Sequence, residues 1–387
     1  MEIELLDNTI QDIEYLGDIP EGWKWVKLGE IADIKTGKTN SQDADNIGEY
    51  PLFDRSSVIK RSKKFLFDME AIIVPGEGKE FIPRFYSGKF DLHQRTYAIL
   101  NFKACIPKFI YYNVLSNKDI FQYFAVGSTV LSLRLEHFLS FPILLPPFEE
   151  QKAIAEVLSS IDDKIELLHR QNKTLEKMAI TLFRQWFIEP TKDGLPEGWE
   201  ERKLKDIYIF EKGIEPGSKN YLETQSDDTI RFIRVGDMLY NKTDVYIKKD
   251  LAGNSICNFD DLLVSFDGTV GRVSFGLVGC YSSGIRKIYS KDEVYNRLWL
   301  KHQIFISEEI QDEINMHAKG TTILHASSSI DYLSFAFPPK EKIEEYDKFF
   351  VPIYKKILNN KTQIQTLERL RDTVLPKLMN GEIRVKI

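Results

Sequence analysis

Residues 154–186 read IAEVLSSIDDKIELLHRQNKTLEKMAITLFRQW. In this stretch Ile154, Leu158, Ile161, Ile165, Leu168, Asn172, Leu175, Ala179, Leu182 and Trp186 follow one another in steps of four and three. That stepping is the heptad seam of a coiled coil, and Asn172 is its one polar member. Neither Pro nor Gly interrupts it. Glu149, Glu150 and Glu156 lie in the first turns and Arg184 in the last, the polarity that the helix dipole favours. The pattern predicts a rod of roughly 50 Å, from a rise of ~1.5 Å per residue. A rod with a single apolar seam needs a partner helix.

The same chain supplies one. Ile353, Ile357, Asn360, Ile364, Leu367, Arg371, Val374 and Leu378 repeat the stepping. Each helix follows a similar lead-in, Leu145-Pro146-Pro147-Phe148-Glu149 and Phe337-Pro338-Pro339-Lys340-Glu341. Adding 192 carries Pro146 to Pro338, Ile161 to Ile353 and Ile165 to Ile357. Pro352 and Pro376 interrupt the second pattern and are expected to start or kink helical segments.

The repeat extends beyond the helices. Pro20-Glu21-Gly22-Trp23 recurs as Pro196-Glu197-Gly198-Trp199, and at the same offset Leu28, Ile31 and Gly37 meet Leu204, Ile207 and Gly213. Gly127-Ser128-Thr129-Val130-Leu131 recurs as Gly320-Thr321-Thr322-Ile323-Leu324, and Leu139-Ser140-Phe141 as Leu333-Ser334-Phe335. Ile72-Ile73-Val74 aligns loosely with Leu262-Leu263-Val264, and the middles otherwise differ. The expected fold is α+β: two similar mixed α/β domains separated by two long helices that form an intramolecular antiparallel coiled coil. The divisions are an acidic leader 1–19, a first module 20–147, a first long helix 148–190, a second module 191–339 and a second long helix 340–387. Strands are expected at Ala71–Pro75, Thr96–Asn101, Ile230–Val235, Leu262–Phe266, Arg272–Phe275 and Arg286–Tyr289. Helices are expected at Phe109–Ser116 and Leu298–Ile306.

Composition narrows the function. Hydrophobic residues make up 43% of 387 residues, enough for packed cores. Cys105, Cys257 and Cys280 are an odd, scattered set without C-x-x-C, which argues against a disulfide framework or zinc site and for a reducing cytoplasm. No apolar run is long enough to span a membrane. The net charge is −6, and residues 1–19 hold six acids and no Lys or Arg. The remainder is balanced, so overall charge does not mark a nucleic-acid binder, and any such affinity would have to come from local basic surface.

The layout resembles the specificity subunit of type I restriction–modification systems. The resemblance rests on the P-x-G-W lead-ins, the G-[ST]-T-x-L segments, the run FPILLPPFEEQKAI from Phe141 to Ile154, and the ending Leu375-Pro376-Lys377-Leu378-Met379-Asn380-Gly381-Glu382-Ile383. It covers nearly the whole chain. It implies two target-recognition domains, each reading half of a bipartite site in double-stranded DNA, with the long helices between them. It also implies partners: two modification subunits, which supply S-adenosylmethionine and methyl transfer, and two motor–nuclease subunits, which use ATP. This chain is expected to hold no cofactor and no metal, and to be non-catalytic. The second lead-in lacks the Glu150-Gln151 pair, which bears on the symmetry of partner docking.

Three enzyme-like signals point the other way. Leu145-Pro146-Pro147-Phe148 is close to the N-P-P-F motif of adenine-N6 methyltransferases, but Leu145 cannot hydrogen-bond a target amino group. Gly37-Lys38-Thr39 ends like a phosphate loop, yet Ala32 stands where the first Gly is required. Glu77-Gly78-Lys79 with Asp68 mimics a nuclease set, while the other module has Asp267-Gly268-Thr269. A coiled-coil scaffold without DNA binding is a further alternative. It leaves two divergent modules on one frame unexplained.

The candidate DNA contacts follow from basic and amide side chains near turns. In the first module they are Lys38, Thr39, Arg55, Lys60, Arg61, Lys63, Lys64, Lys79, Arg84, Gln94 and Arg95. His93 is expected to be packed or phosphate-facing. In the second module they are Lys212, Lys219, Asn220, Arg231, Arg234, Thr269, Arg272, Ser283 and Arg286. Gly37-Lys38-Thr39 presents donors in a turn and suits a phosphate, while Arg can read guanine and Gln adenine.

The repeat also sets a helix register. If Asn172 faces Asn360, pseudo-symmetry requires that Leu168 faces Ile364, both pairs summing to 532. The same rule puts Leu158 on Val374, Ala179 on Ile353 and Arg371 on Ile161, where Arg371 must snorkel outward. The rod is then expected to act as a ruler between two half-sites roughly one turn of DNA apart, ~34–36 Å.

Overall fold

The structure is a computed structural model that describes residues 19–45, 47–127, 130–240, 245–320 and 324–386. Met1–Asp18 of the acidic leader, and parts of both G-[ST]-T-x-L segments, lie outside the described residues. The chain divides into two compact units. One holds the described residues up to Ile165 and from Thr366 onward, the other Glu166–Gln365.

In the first unit a six-stranded sheet runs in the order Asp33–Thr36, Thr96–Leu100, Phe67–Pro75, Arg84–Leu92, Tyr50–Phe53, Lys60–Ser62. Neighbours are antiparallel except Tyr50–Phe53, which lies parallel to the end of Arg84–Leu92. The apolar run Ile72-Ile73-Val74 is buried on both faces, as a central strand without alternation should be. The helix Pro107–Ser116, with Pro at its first turn, buries Phe109, Ile110, Tyr112 and Val114. Lys24–Lys27 pairs with Pro142–Leu145 in a separate ribbon. The core joins these residues to Ile154, Leu158, Leu375 and Leu378 of the long helices.

The second unit repeats the frame. Ile209–Lys212, Ile285–Tyr289, Leu262–Ser265 and Val273–Ser274 lie in the same order as the first four strands above, again antiparallel. Thr229–Ile233 lies parallel to Gly279–Tyr281 and antiparallel to Tyr246–Lys248, matching the last two. The strands Phe67–Pro75 and Arg84–Leu92 are unbroken in the first unit. Their counterparts are each split in two, Ile256–Cys257 with Leu262–Ser265, and Val273–Ser274 with Gly279–Tyr281. One sheet therefore becomes two. Glu200–Lys203 and Ser334–Phe337 form the equivalent ribbon, and Leu298–Ile306 the equivalent helix.

The long helices are Phe148–Phe183, followed by a five-residue π-helical turn, and Lys340–Met379. Each contributes one stretch to each unit. The second neither starts nor stops at a proline: Pro352 and Pro376 both lie within it. Packing offsets the missing backbone bonds. Phe350 stacks on Trp299 at 4.3 Å, and Ile353, Tyr354, Leu375 and Leu378 are buried around the two prolines.

The helices run antiparallel within each unit. In the second, Asn360 Nδ2 donates to Asn172 Oδ1 at 2.9 Å, and Trp186 stacks on Tyr346 at 4.9 Å. Leu168 and Ile364 are both buried. In the first, Arg371 does not snorkel: it bonds Asp162 at 3.0 Å, and its side chain is 22% exposed. Asp162 lies one residue beyond the expected Ile161, where a carboxylate offers the guanidinium a better environment than water over an apolar neighbour.

Candidate nucleic-acid interface

The repeat Gly37/Gly213 places a comparable turn in each module. A Cβ on Gly37 would sit 1.8 Å from Leu92 O, and one on Gly213 would sit 2.2 Å from Ser282 O. Each glycine lets the chain leaving its edge strand press against the turn between two central strands. Three hydrogen bonds recur in both modules. Lys38 N donates to Leu92 O and Ile214 N to Tyr281 O; His93 N donates to Phe53 O and Ser282 N to Ile233 O. Gly76 N donates to Arg95 O and Phe266 N to Gly284 O. His93-Gln94-Arg95 and Ser282-Ser283-Gly284 are therefore the same turn bearing different side chains.

Around the first turn the structure gathers Lys38, Gln94, Arg95, Arg55, Lys60 and Arg84. Gln94 Nε2 donates to Asn40 Oδ1 at 2.7 Å. Arg95 pairs with Glu77, and Arg55 reaches the other oxygen of Glu77 at 3.3 Å. Lys60 pairs with the buried Asp54 at 2.7 Å. Burial raises the Asp54 carboxyl, but the Lys60 ammonium and the Ser56 donors outweigh it and hold the group at about 2. Arg84 is half-buried and donates to Ser56 O at 2.7 Å. His93 is half-buried, and burial lowers it below its ordinary value. Thr39 differs from expectation. It is buried, and its hydroxyl donates to Asp91, which also accepts from Ser62. Thr39 thus braces the turn and leaves its hydroxyl unavailable to a phosphate.

Other expected residues lie apart. Arg61 bonds Gly48 O, and Lys63 pairs with Asp45 at 2.6 Å, so both belong to the outer sheet edge. Lys64 and Lys79 are exposed and have no carboxylate partner among the described residues.

Around the second turn lie Ser283, Thr269, Arg272 and Arg234. Arg272 donates to Val235 O at 2.8 Å, and Arg234 pairs with Asp237 at 3.1 Å. Thr269 is exposed and Ser283 half-buried. Lys212 is exposed at the end of its strand, with Lys219 and Asn220 on the following loop. Arg231 is half-buried in its strand opposite Tyr246. Arg286 is a correction: it is 6% exposed and donates to Ser283 O and Ser327 Oγ. Its guanidinium satisfies buried backbone and cannot present a fork to a base.

Four residues escaped the reading of basic side chains: Glu77, Asp267, His325 and Asp237. Asp267 bonds His325 Nδ1 at 2.7 Å. The available signal was Glu77-Gly78 and Asp267-Gly268 at equivalent places in the repeat.

The enzyme-like motifs have structural roles. Leu145 is a buried strand residue, and Pro147 O accepts from Glu150 N and Gln151 N at the start of the helix. Glu150 and Gln151 face inward. Glu150 accepts from Trp23 Nε1 and from Arg384, while Gln151 bonds Ile106 N and Pro146 O. Their absence from the second lead-in therefore alters an internal contact. Among the described residues no cluster of three His, Cys, Asp or Glu side chains could hold a metal ion. None of their helices is long and apolar enough to cross a membrane.

Two modules share a frame and differ in the side chains that they carry on it, the turns among them. The chain belongs to the family of the type I restriction modification DNA specificity domain, whose family model matches residues 20–177 and again 196–369. It is 28% identical to the type I restriction enzyme MjaIX specificity subunit of Methanocaldococcus jannaschii, over 96% of each chain. It is 26% identical to the putative type I restriction enzyme MjaX specificity subunit of the same organism, again over 96% of each. In fold it resembles the type I restriction–modification S subunit from M. genitalium, with a TM-score of 0.58 and 17% identity over 94% of this chain and 97% of that one.

Proposed function

We propose that this chain is the non-catalytic address of a cytoplasmic type I restriction–modification complex. Each module reads one half of a bipartite duplex target. Two modification subunits dock on the chain and supply S-adenosylmethionine and methyl transfer, and two motor–nuclease subunits add ATP-driven translocation and cleavage. The long helices set the spacing between half-sites.

One observation carries this reading: the two turns share three backbone hydrogen bonds yet bear His93-Gln94-Arg95 in one module and Ser282-Ser283-Gly284 in the other. A shared frame with different side chains suits two readers of two different sequences. In this reading Lys38, Arg55, Lys60, Gln94 and Arg95 serve the first half-site, and Lys212, Arg234, Thr269, Arg272 and Ser283 the second.

The test is a chimera in which residues 20–140 come from a relative, assembled with its partners and read by methylome sequencing. One half of the target should change. A change in both halves, or in neither, rejects two independent readers. The purified chain should not methylate DNA when given S-adenosylmethionine.

A further inference from the structure

Glu77 and Asp267 occupy the same place. Each follows a residue whose N–H bonds the turn, Gly76 N to Arg95 O and Phe266 N to Gly284 O. Each of those preceding residues also accepts from the returning loop, Leu133 N to Gly76 O and Ala326 N to Phe266 O. Both carboxylates are mostly enclosed, with 13% and 22% of the side chain exposed, and both hold exposed basic side chains. Glu77 holds Arg55 and Arg95, 60% and 62% exposed, and Asp267 holds His325, 64% exposed.

A carboxylate beside a basic side chain decides what that side chain can meet. A phosphate brought to it would face like charge and would compete for the same donors. A base edge is neutral, so it can share the remaining N–H groups of an anchored fork. Anchoring also limits the rotamer freedom lost on binding. By contrast Lys38, Lys79, Lys212 and Lys219 are exposed and have no carboxylate partner among the described residues. Such ammonium groups suit phosphate and the release of counterions.

We propose that Glu77 and Asp267 are the positioning residues at the base-reading centre of each module, aiming Arg55 with Arg95 and His325 at base edges, while the unanchored lysines contact phosphate. This rests on the reading of both modules as DNA binders.

The test uses the full chain with its modification subunits and a duplex library randomised over both half-sites, with random-sequence DNA beside it. Glu77→Gln should relax discrimination at one or two positions of one half-site, by ~5–150-fold. Removing its negative charge should leave binding to random DNA unchanged or stronger. Arg95→Gln should relax an overlapping set of positions, which a general loss of structure would not produce. Asp267→Asn should act on the other half-site. Lys38→Ala should instead weaken specific and random DNA alike and lower the salt slope by about one. The proposal is overturned if Glu77→Gln keeps the wild-type profile, alters both half-sites, or weakens random and specific DNA equally. If the wild-type complex itself discriminates at neither half-site, the DNA-reading function falls along with it.

Discussion

Asn360 Nδ2 donates to Asn172 Oδ1 at 2.9 Å, and both residues are buried, 0% and 7% exposed, in the apolar seam of the paired helices. Gln171 Oε1 is a second, longer acceptor at 3.4 Å. A polar pair in such a seam fixes register at some cost in stability. Asn172→Leu should leave Asn360 Nδ2 with only the longer bond to Gln171 and lose ~1–3 kcal/mol. Adding Asn360→Ile should recover much of that loss. Urea midpoints of the two singles and the double decide, and additive losses would reject the pairing as the source.

Arg371, Asp162 and Tyr112 form a second polar junction. Asp162 accepts from Arg371 at 3.0 Å and from Tyr112 Oη at 2.8 Å. Burial lowers the Arg371 guanidinium, but its bonds to Asp162 and Asp372 outweigh this and raise it overall. Arg371→Met should cost about 1–3 kcal/mol by leaving a partly desolvated carboxylate behind. The double variant with Asp162→Leu should melt above the single one. If Arg371→Met alone melts with the wild type, the junction contributes nothing.

His302 gives the second unit an acid sensitivity. Its Nδ1 lies 2.6 Å from Tyr354 Oη, which also accepts from Gln303 Nε2. Burial lowers the imidazole to about 3, and the Lys361 ammonium adds to the effect. An unfolded His takes up its proton near ~6.5, and the folded one does not until far lower. Between those values the unfolded state binds more protons, so stability falls as the pH falls from ~6.5 to ~3, and the contribution is complete above that window. His302→Gln should flatten the stability–pH curve by one proton across it. Parallel wild-type and variant curves would exclude His302 as the source.

Gly37→Ala and Gly213→Ala should each damage the module that contains it. The added Cβ would fall 1.8 Å from Leu92 O in one case and 2.2 Å from Ser282 O in the other, both rigid backbone atoms. Displacing a strand end costs several times an exposed Gly→Ala change, which is within about 1 kcal/mol. Proteolysis mapped by mass spectrometry should show new cleavage in residues 20–145 for the first variant and in 196–337 for the second. Wild-type protection in both would contradict the close approach.

Arg95 and Arg286 should behave differently although both stand beside equivalent turns. Arg286 is enclosed and bonds Ser283 O and Ser327 Oγ. Arg286→Ala should lower the melting temperature by stranding those acceptors. Arg95 is exposed, so Arg95→Ala should leave the melt unchanged while relaxing one half-site. Equal melting losses in the two would show that exposure does not separate their roles.

The sequence by itself determined the periodic and repeated parts. The stepping of the seams, the doubled P-E-G-W, the glycines at 37 and 213 and the apolar strands Ile72–Val74 and Leu262–Val264 are local patterns. Each specifies its element because burial or backbone geometry leaves little choice at those positions. The continuity of the second long helix through Pro352 and Pro376 was not legible, since prolines argue for breaks and only packing on Trp299 and the core overrides them. Nor did sequence separate Arg95 from Arg286, or show that Thr39 and Glu150 turn inward. Residue type states what a side chain can bond. Which partners come within reach depends on strands distant in sequence, and the pairings of Glu77 with Arg55 and Arg95, and of Asp267 with His325, were settled only when the sheets brought them together.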